Sequence, residues 1–127
     1  MFTIDQNTGS LSGGSTVSAA GTTLGFDIEG GGQYAYAANF GGPSLSIYSV
    51  NDATGALSLT GTLIIPGSPQ YVLAEPLGKA IYVANNVTSQ VYSYSIDRST
   101  GALTETGAFA AGTGTIALGI ASYVDFR

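Results

Sequence analysis

A repeat of 46 residues runs through this 127-residue sequence and constrains its fold more than any other feature. The segment Thr8–Leu11 (TGSL) returns 46 positions later as Thr54–Leu57 (TGAL), and after another 46 as Thr100–Leu103 (TGAL). At the same spacing Tyr36–Asn39 (YAAN) aligns with Tyr82–Asn85 (YVAN). A fixed period of this length predicts a repeat architecture, in which each unit buries its apolar faces against its neighbours.

One unit has the pattern of four short strands joined by tight connections. The apolar run Tyr71–Ala74 suits an innermost strand, and Ile81–Ala84 is rich in the β-branched and aromatic residues that favour strands. Val91–Ile96 and Leu103–Phe109 follow after polar segments. Short connections between successive strands predict an antiparallel four-stranded meander. The glycines that end the third turn, Gly55 and Gly101, are expected at positive φ.

The distribution of apolar residues predicts how such sheets pack. In the fourth strand Leu57, Leu59 and Leu63 alternate with Ser and Thr, so we expect these leucines on one side of an outer strand. The inner strands are apolar on both faces and therefore need a neighbour on each face. Stacking four-stranded sheets around an axis meets that need, which predicts an all-β fold of β-propeller blades.

The segment Gly67–Asn85, together with Val91–Leu103, resembles a repeat of the seven-bladed β-propeller family of lactonases, which includes 6-phosphogluconolactonases. The resemblance extends over nearly the whole chain. It implies a single repeat domain, 1–127, made of a partial blade 1–19, a blade 20–65, a blade 66–111 and a partial blade 112–127.

The strands amount to about three blades, which is too few to surround an axis. The sequence starts with the third and fourth strands of a blade, Phe2–Ile4 and Leu11–Val17, and ends with segments expected as inner strands, Ile116–Ile120 and Tyr123–Phe126. Uncovered end blades would leave apolar faces in water. We therefore expect self-association, with a homodimer as the first choice, in which the starting strands of one copy complete the blade begun by the ending strands of another.

Charge and hydropathy exclude several classes of partner. The chain has three cationic residues and a net charge of −5. Binding to a phosphate backbone needs clustered Lys and Arg, so no nucleic-acid partner is expected. No apolar run approaches the ~20 residues that span a bilayer, so no membrane partner is expected either. The start of the sequence does not resemble a signal peptide, and both a bacterial cytoplasmic and an exported location stay open.

The residue types argue against catalysis and against a metal or cofactor. The chain has no histidine and no cysteine, which excludes Ser-His catalysis and His- or Cys-ligated metal. The repeated turn offers one carboxylate per unit, as in Asp5 and Asp97, whereas Ca²⁺ takes 6–8 oxygen ligands. Asp27 and Glu29 could act as a carboxylate pair at positions i and i+2, but a solvated strand end beside a glycine turn is the favoured interpretation.

Ligand contacts are expected at one end of the blades, where loops enter the inner strand and leave the second strand. The residues predicted there are Thr22, Asn39, Phe40, Pro69, Asn85 and Asn86. Three functional hypotheses follow. The first is a non-catalytic propeller module with a structural or interaction role and an unspecified small-molecule or protein ligand. The second is a sugar-lactone hydrolase whose pocket forms on assembly, and the third is a fragment excised from a larger propeller protein.

Overall fold

The computed structural model describes residues 3–112, which form ten β-strands and, within that range, no helix. The strands are β1 (Thr3–Ile4), β2 (Leu11–Ser12), β3 (Thr23–Ile28), β4 (Tyr34–Asn39), β5 (Ser44–Val50), β6 (Leu57–Ile64), β7 (Pro69–Ala74), β8 (Ala80–Asn85), β9 (Gln90–Ile96) and β10 (Leu103–Ala110).

The strands form two four-stranded antiparallel sheets and one separate pair. Blade A contains β3-β4-β5-β6 and blade B contains β7-β8-β9-β10, each in chain order, while β1 pairs with β2. The sheets fall within the predicted units 20–65 and 66–111. The prediction of an all-β fold with antiparallel four-stranded blades is confirmed. The segments expected as ending strands, 116–120 and 123–126, lie outside the described residues.

The turn before each fourth strand has the same construction in all three copies. A side-chain oxygen of Asp5, and likewise one of Asn51, accepts the backbone amides two and three residues further along the chain. In the third copy, Asp97 accepts the backbone amide two residues further along. Gly55 and Gly101 have φ of 65° and 75°, as predicted. These turns are structural, because a short polar side chain and a glycine together close the hairpin.

Hydrogen bonds in these turns stabilise the ionised carboxylates. The backbone amide of Thr8 is the largest cause of a lowered pKa for Asp5. The hydroxyl of Ser99, followed by its amide, lowers the pKa of Asp97. The carboxylates therefore act as anionic hydrogen-bond acceptors within their own turns.

The main hydrophobic core lies between the two blades, where each contributes one face. Blade A and the connection after it supply Tyr36, Ala38, Leu45, Ile47 and Ile65, and blade B supplies Val72, Ala74, Ile81, Val83, Tyr92, Tyr94 and Ile96. A smaller cluster lies on the opposite face of blade A and contains Ala35, Ala37 and Tyr48. Both faces of blade A are thus apolar, as stacked blades require.

The expectation that Leu57, Leu59 and Leu63 share one face is wrong. A β-bulge at Thr60 adds one residue to β6 without a partner in β5. One extra residue reverses the alternation of side chains along the rest of the strand. Leu63 therefore packs against the core between the blades, whereas Leu57 packs with the cluster around Tyr48 on the other face.

Candidate functional site

The antiparallel meander places the connections of each blade at two opposite ends. We call the end with the β4–β5, β6–β7 and β8–β9 connections the loop end. The other end, with the hairpins that follow β3, β5, β7 and β9, is the turn end. All six predicted ligand residues belong to the loop end, where the amide of Phe40 donates to the carbonyl of Thr22 at 2.7 Å.

Asn39 is fully buried and bonded within blade A. Its Nδ2 donates to Ser44 Oγ at 3.1 Å and to Ser46 Oγ at 3.0 Å. Its Oδ1 accepts the hydroxyl of Thr23 at 3.4 Å. The side chain therefore joins three strands of the blade, since Thr23 lies in β3 and both serines lie in β5.

Asn85, the equivalent residue of blade B, is also fully buried. Its Oδ1 accepts the backbone amides of Ser68 at 3.3 Å and of Val87 and Thr88 at 3.2 Å each. Its Nδ2 donates to the carbonyl of Pro66. One amide group thus holds the β6–β7 connection against the β8–β9 loop.

The surface left at the loop end is smaller than the sequence suggested. Pro69 is buried like the two asparagines. Thr22 is exposed, Phe40 is 41% exposed and Asn86 is half-buried. Ligand binding at this end stays a prediction, and the side chains that reach its surface are those of Thr22, Phe40 and Asn86.

Asp27 lies on the innermost strand of blade A and bridges to blade B. Its Oδ1 accepts the amide of Ile28 at 2.9 Å, and its Oδ2 accepts the amide of Ala74 in β7 at 2.8 Å. The carboxylate therefore links the innermost strands of the two blades. The repeat gives no signal for this role, because the positions 46 and 92 residues further along hold Leu73 and Gly119, so no residue type recurs there.

Glu29 is buried, so the expectation of a solvated strand end is wrong for this residue. Its carboxylate accepts the amides of Gly31 at 2.6 Å, Gln33 at 2.7 Å and Tyr34 at 3.3 Å. These bonds satisfy the donors of the first hairpin turn and compensate the desolvation of the carboxylate. Glu75 serves the same turn in blade B, where it accepts two backbone amides.

Two tyrosine hydroxyls cross from blade A to the turn end of blade B. Tyr36 donates to the carbonyl of Gly101 at 3.0 Å, and Tyr34 donates to that of Ser99 at 2.8 Å. Burial, and then the nearby carboxylate of Glu29, raise the pKa of Tyr36, which keeps the phenol neutral. The two hydroxyls fix the blades against each other through hydrogen bonds.

Among residues 3–112, the acidic side chains form no group of three or more that could hold a metal ion. That part of the chain also has no helix long and apolar enough to cross a membrane. A hollow of about 240 Å³ lies between Ser15–Val17 and the pair Ala56 and Leu57, and its lining consists of aliphatic and hydroxyl side chains.

Residues 1–118 match the sequence pattern of the lactonase family, whose members are described as seven-bladed β-propellers. No curated protein gives a significant match.

Several solved structures are similar to this chain. A candidate 6-phosphogluconolactonase from Bacteroides fragilis is 25% identical with a TM-score of 0.74, covering 82% of this chain and 31% of its own. A protein from Lactobacillus plantarum is 23% identical with a TM-score of 0.74, and the match covers 90% of this chain and 36% of that protein. The periplasmic gluconolactonase of Pseudomonas aeruginosa is 19% identical with a TM-score of 0.74, covering 88% and 33%. The chain thus spans about a third of the length of these proteins.

Proposed function

We propose that this chain, which belongs to the lactonase family of seven-bladed β-propellers, acts as a non-catalytic module of such a propeller. In this role its two blades supply packing surfaces, and the loop end presents Thr22, Phe40 and Asn86 to a ligand. This stretch of chain spans about a third of the length of the similar solved structures, so it would form one part of such a propeller.

The main support for this role is that the carboxylates on and beside the innermost strands accept hydrogen bonds from the backbone. Asp27, Glu29 and Glu75 each accept at least two backbone amides. A general base must reach the proton that it abstracts from water or substrate. These carboxylate oxygens point at the backbone instead, and they hold hairpin turns and neighbouring strands in place.

Sugar-lactone hydrolysis is the second candidate function, with a pocket that forms only when more blades surround the axis. The match to the lactonase family favours it, as do the lactonase names of two similar solved structures. In that case Asp27 is the candidate base, because it lies on the innermost strand and between two blades.

Hydrolysis of glucono-1,5-lactone by the purified chain separates the two functions. We expect a rate equal to spontaneous ring opening at every protein concentration, because the described carboxylates on and beside the innermost strands, Asp27, Glu29 and Glu75, are engaged by backbone amides. Hydrolysis that rises in proportion to the protein concentration would contradict the non-catalytic role. If such hydrolysis fell by about a hundredfold in Asp27→Asn, the usual effect of losing a general base, the second function would replace the first. Asp52→Asn, in an exposed turn, is the matched control.

A further inference from the structure

Charged side chains are distributed unevenly between the two ends of the blades. Within residues 3–112 every charged residue belongs to a strand or to a hairpin turn, and these residues are Asp5, Asp27, Glu29, Asp52, Glu75, Lys79, Asp97, Arg98 and Glu105. The segment 13–22, which leads into β3, and the loop-end connections 40–43, 65–68 and 86–89 contain none. A ligand with a phosphate or carboxylate group would therefore find no cation in the described loop end.

Backbone amides are the other groups with which a loop can bind an anion, when several of them converge on it. At the loop end most of these amides already donate to carbonyl or side-chain oxygens within the blades. The amides so engaged are those of Phe40, Gly42, Ile65, Ser68, Val87 and Thr88. With no cation and few available amides, this end does not favour an anionic ligand.

The side chains that the loop end presents to a ligand are uncharged. Thr22 is exposed and Asn86 is half-buried, and neither side chain makes a hydrogen bond within residues 3–112. The ring of Phe40 is 41% exposed and precedes Gly41 and Gly42, which have no side chain to cover it. Thr22 lies beside this loop, since a Cβ on Gly41 would be 3.5 Å from Thr22 Oγ1. An aromatic ring and a hydroxyl thus share one part of the surface, and Asn86 stands at the position of blade B equivalent to Phe40.

We propose that the loop end binds an uncharged saccharide and discriminates against its phosphorylated form. This inference rests on the proposed function, which gives the loop end a ligand but not the chemistry of that ligand. The C–H face of a sugar ring is apolar and packs on an aromatic ring such as that of Phe40, while sugar hydroxyls donate to and accept from the side chains of Thr22 and Asn86. A phosphate group would bring roughly two negative charges to a chain whose net charge is already −5.

Titration of the ¹⁵N-labelled chain with D-glucose and, separately, with D-glucose 6-phosphate tests the proposal at neutral pH and low ionic strength. The two probes share the sugar ring and differ in the phosphate group. Glucose should shift the amide signals of Thr22, Phe40 and Asn86, and glucose 6-phosphate should bind at least about tenfold more weakly, because like charges repel. Added salt should narrow this difference, since it screens the repulsion between exposed charges.

Substitutions of Phe40 locate the binding surface. Phe40→Ala should weaken glucose binding by about tenfold, whereas Phe40→Tyr keeps the aromatic face and should bind like the wild type. Leu77→Ala is the matched control, because Leu77 is an exposed apolar residue in a hairpin of the turn end, and it should leave the affinity unchanged. The amide spectrum of each variant shows whether it is folded.

Four results would each overturn the proposal: no binding of glucose, shifts confined to residues outside the loop end, binding of glucose 6-phosphate as tight as that of glucose, or unchanged affinity in Phe40→Ala. The non-catalytic role is decided separately, by the hydrolysis of glucono-1,5-lactone. Failure of the saccharide site and failure of the proposed function are therefore distinguishable.

Discussion

Gly30→Ala is expected to lower the free energy of unfolding by about 3 kcal/mol, the upper part of the range for overpacked positions. A Cβ on Gly30 would lie 1.7 Å from the carbonyl oxygen of Pro76 and 2.5 Å from its carbonyl carbon. Both obstacles are backbone atoms, so the first hairpin turns of the two blades would have to separate. Urea unfolding followed by circular dichroism measures the change.

Gly42→Ala is the matched control for this substitution. A Cβ at Gly42 would lie 3.6 Å from the carbonyl oxygen of Ala20 and 3.8 Å from Ser44 Oγ, which are ordinary contact distances. We expect it to change the free energy of unfolding by no more than about 0.5 kcal/mol. Equal stabilities of the two variants would show that the hairpin of Gly30 does not touch Pro76.

Asn85→Ala is expected to lower the free energy of unfolding by about 3 kcal/mol, roughly 1 kcal/mol for each backbone amide that loses its acceptor. The amides concerned belong to Ser68, Val87 and Thr88, and they lie in a partly buried region where water replaces the lost oxygen poorly. The effect should appear without any ligand, because this side chain holds two connections of the loop end together.

Asn86→Ala, at the neighbouring position, provides the comparison. Asn86 is half-buried and belongs to the surface proposed for ligand contact. Its replacement should change the free energy of unfolding by less than about 0.5 kcal/mol. A loss in Asn86→Ala as large as that in Asn85→Ala would contradict the separation of a structural asparagine from a surface one.

Much of the fold could be predicted from the sequence because a repeat multiplies weak signals. A single Thr-Gly pair is ambiguous, but its return before Leu57 and Leu103 marks a hairpin turn, and the positive φ of Gly55 and Gly101 followed from it. The bulge at Thr60 could not be predicted in this way. The bulge depends on how β5 and β6 pair. In the sequence, Leu57, Leu59 and Leu63 keep their even spacing across Thr60, so nothing in the pattern marks the change of face.

The candidate site was harder to predict because polar residues at strand ends serve two purposes. Asn39 and Asn85 occur at equivalent positions, where the sequence predicts an amide that faces a ligand. In the structure both amides are buried, and they bond to nearby hydroxyl or backbone groups instead. Asp27 is a different case. The equivalent position of blade B holds Leu73, which has no carboxylate, and only the structure identifies the amide of Ala74 as the partner of Asp27.

Hydrogen exchange at the Ala74 amide tests the stacking of blade A on blade B most directly. The amide of Glu75 donates to the carbonyl of Ala80 in β8, so the preceding amide of Ala74 points to the other edge of β7, where Asp27 accepts it. In an isolated blade this amide would face water. We predict slow exchange in the wild type and a loss of protection of about a hundredfold in Asp27→Ala, while the Val83 amide in the central strand β8 stays protected. Fast exchange of the Ala74 amide in the wild type, beside a protected Val83, would contradict the stacking of the blades.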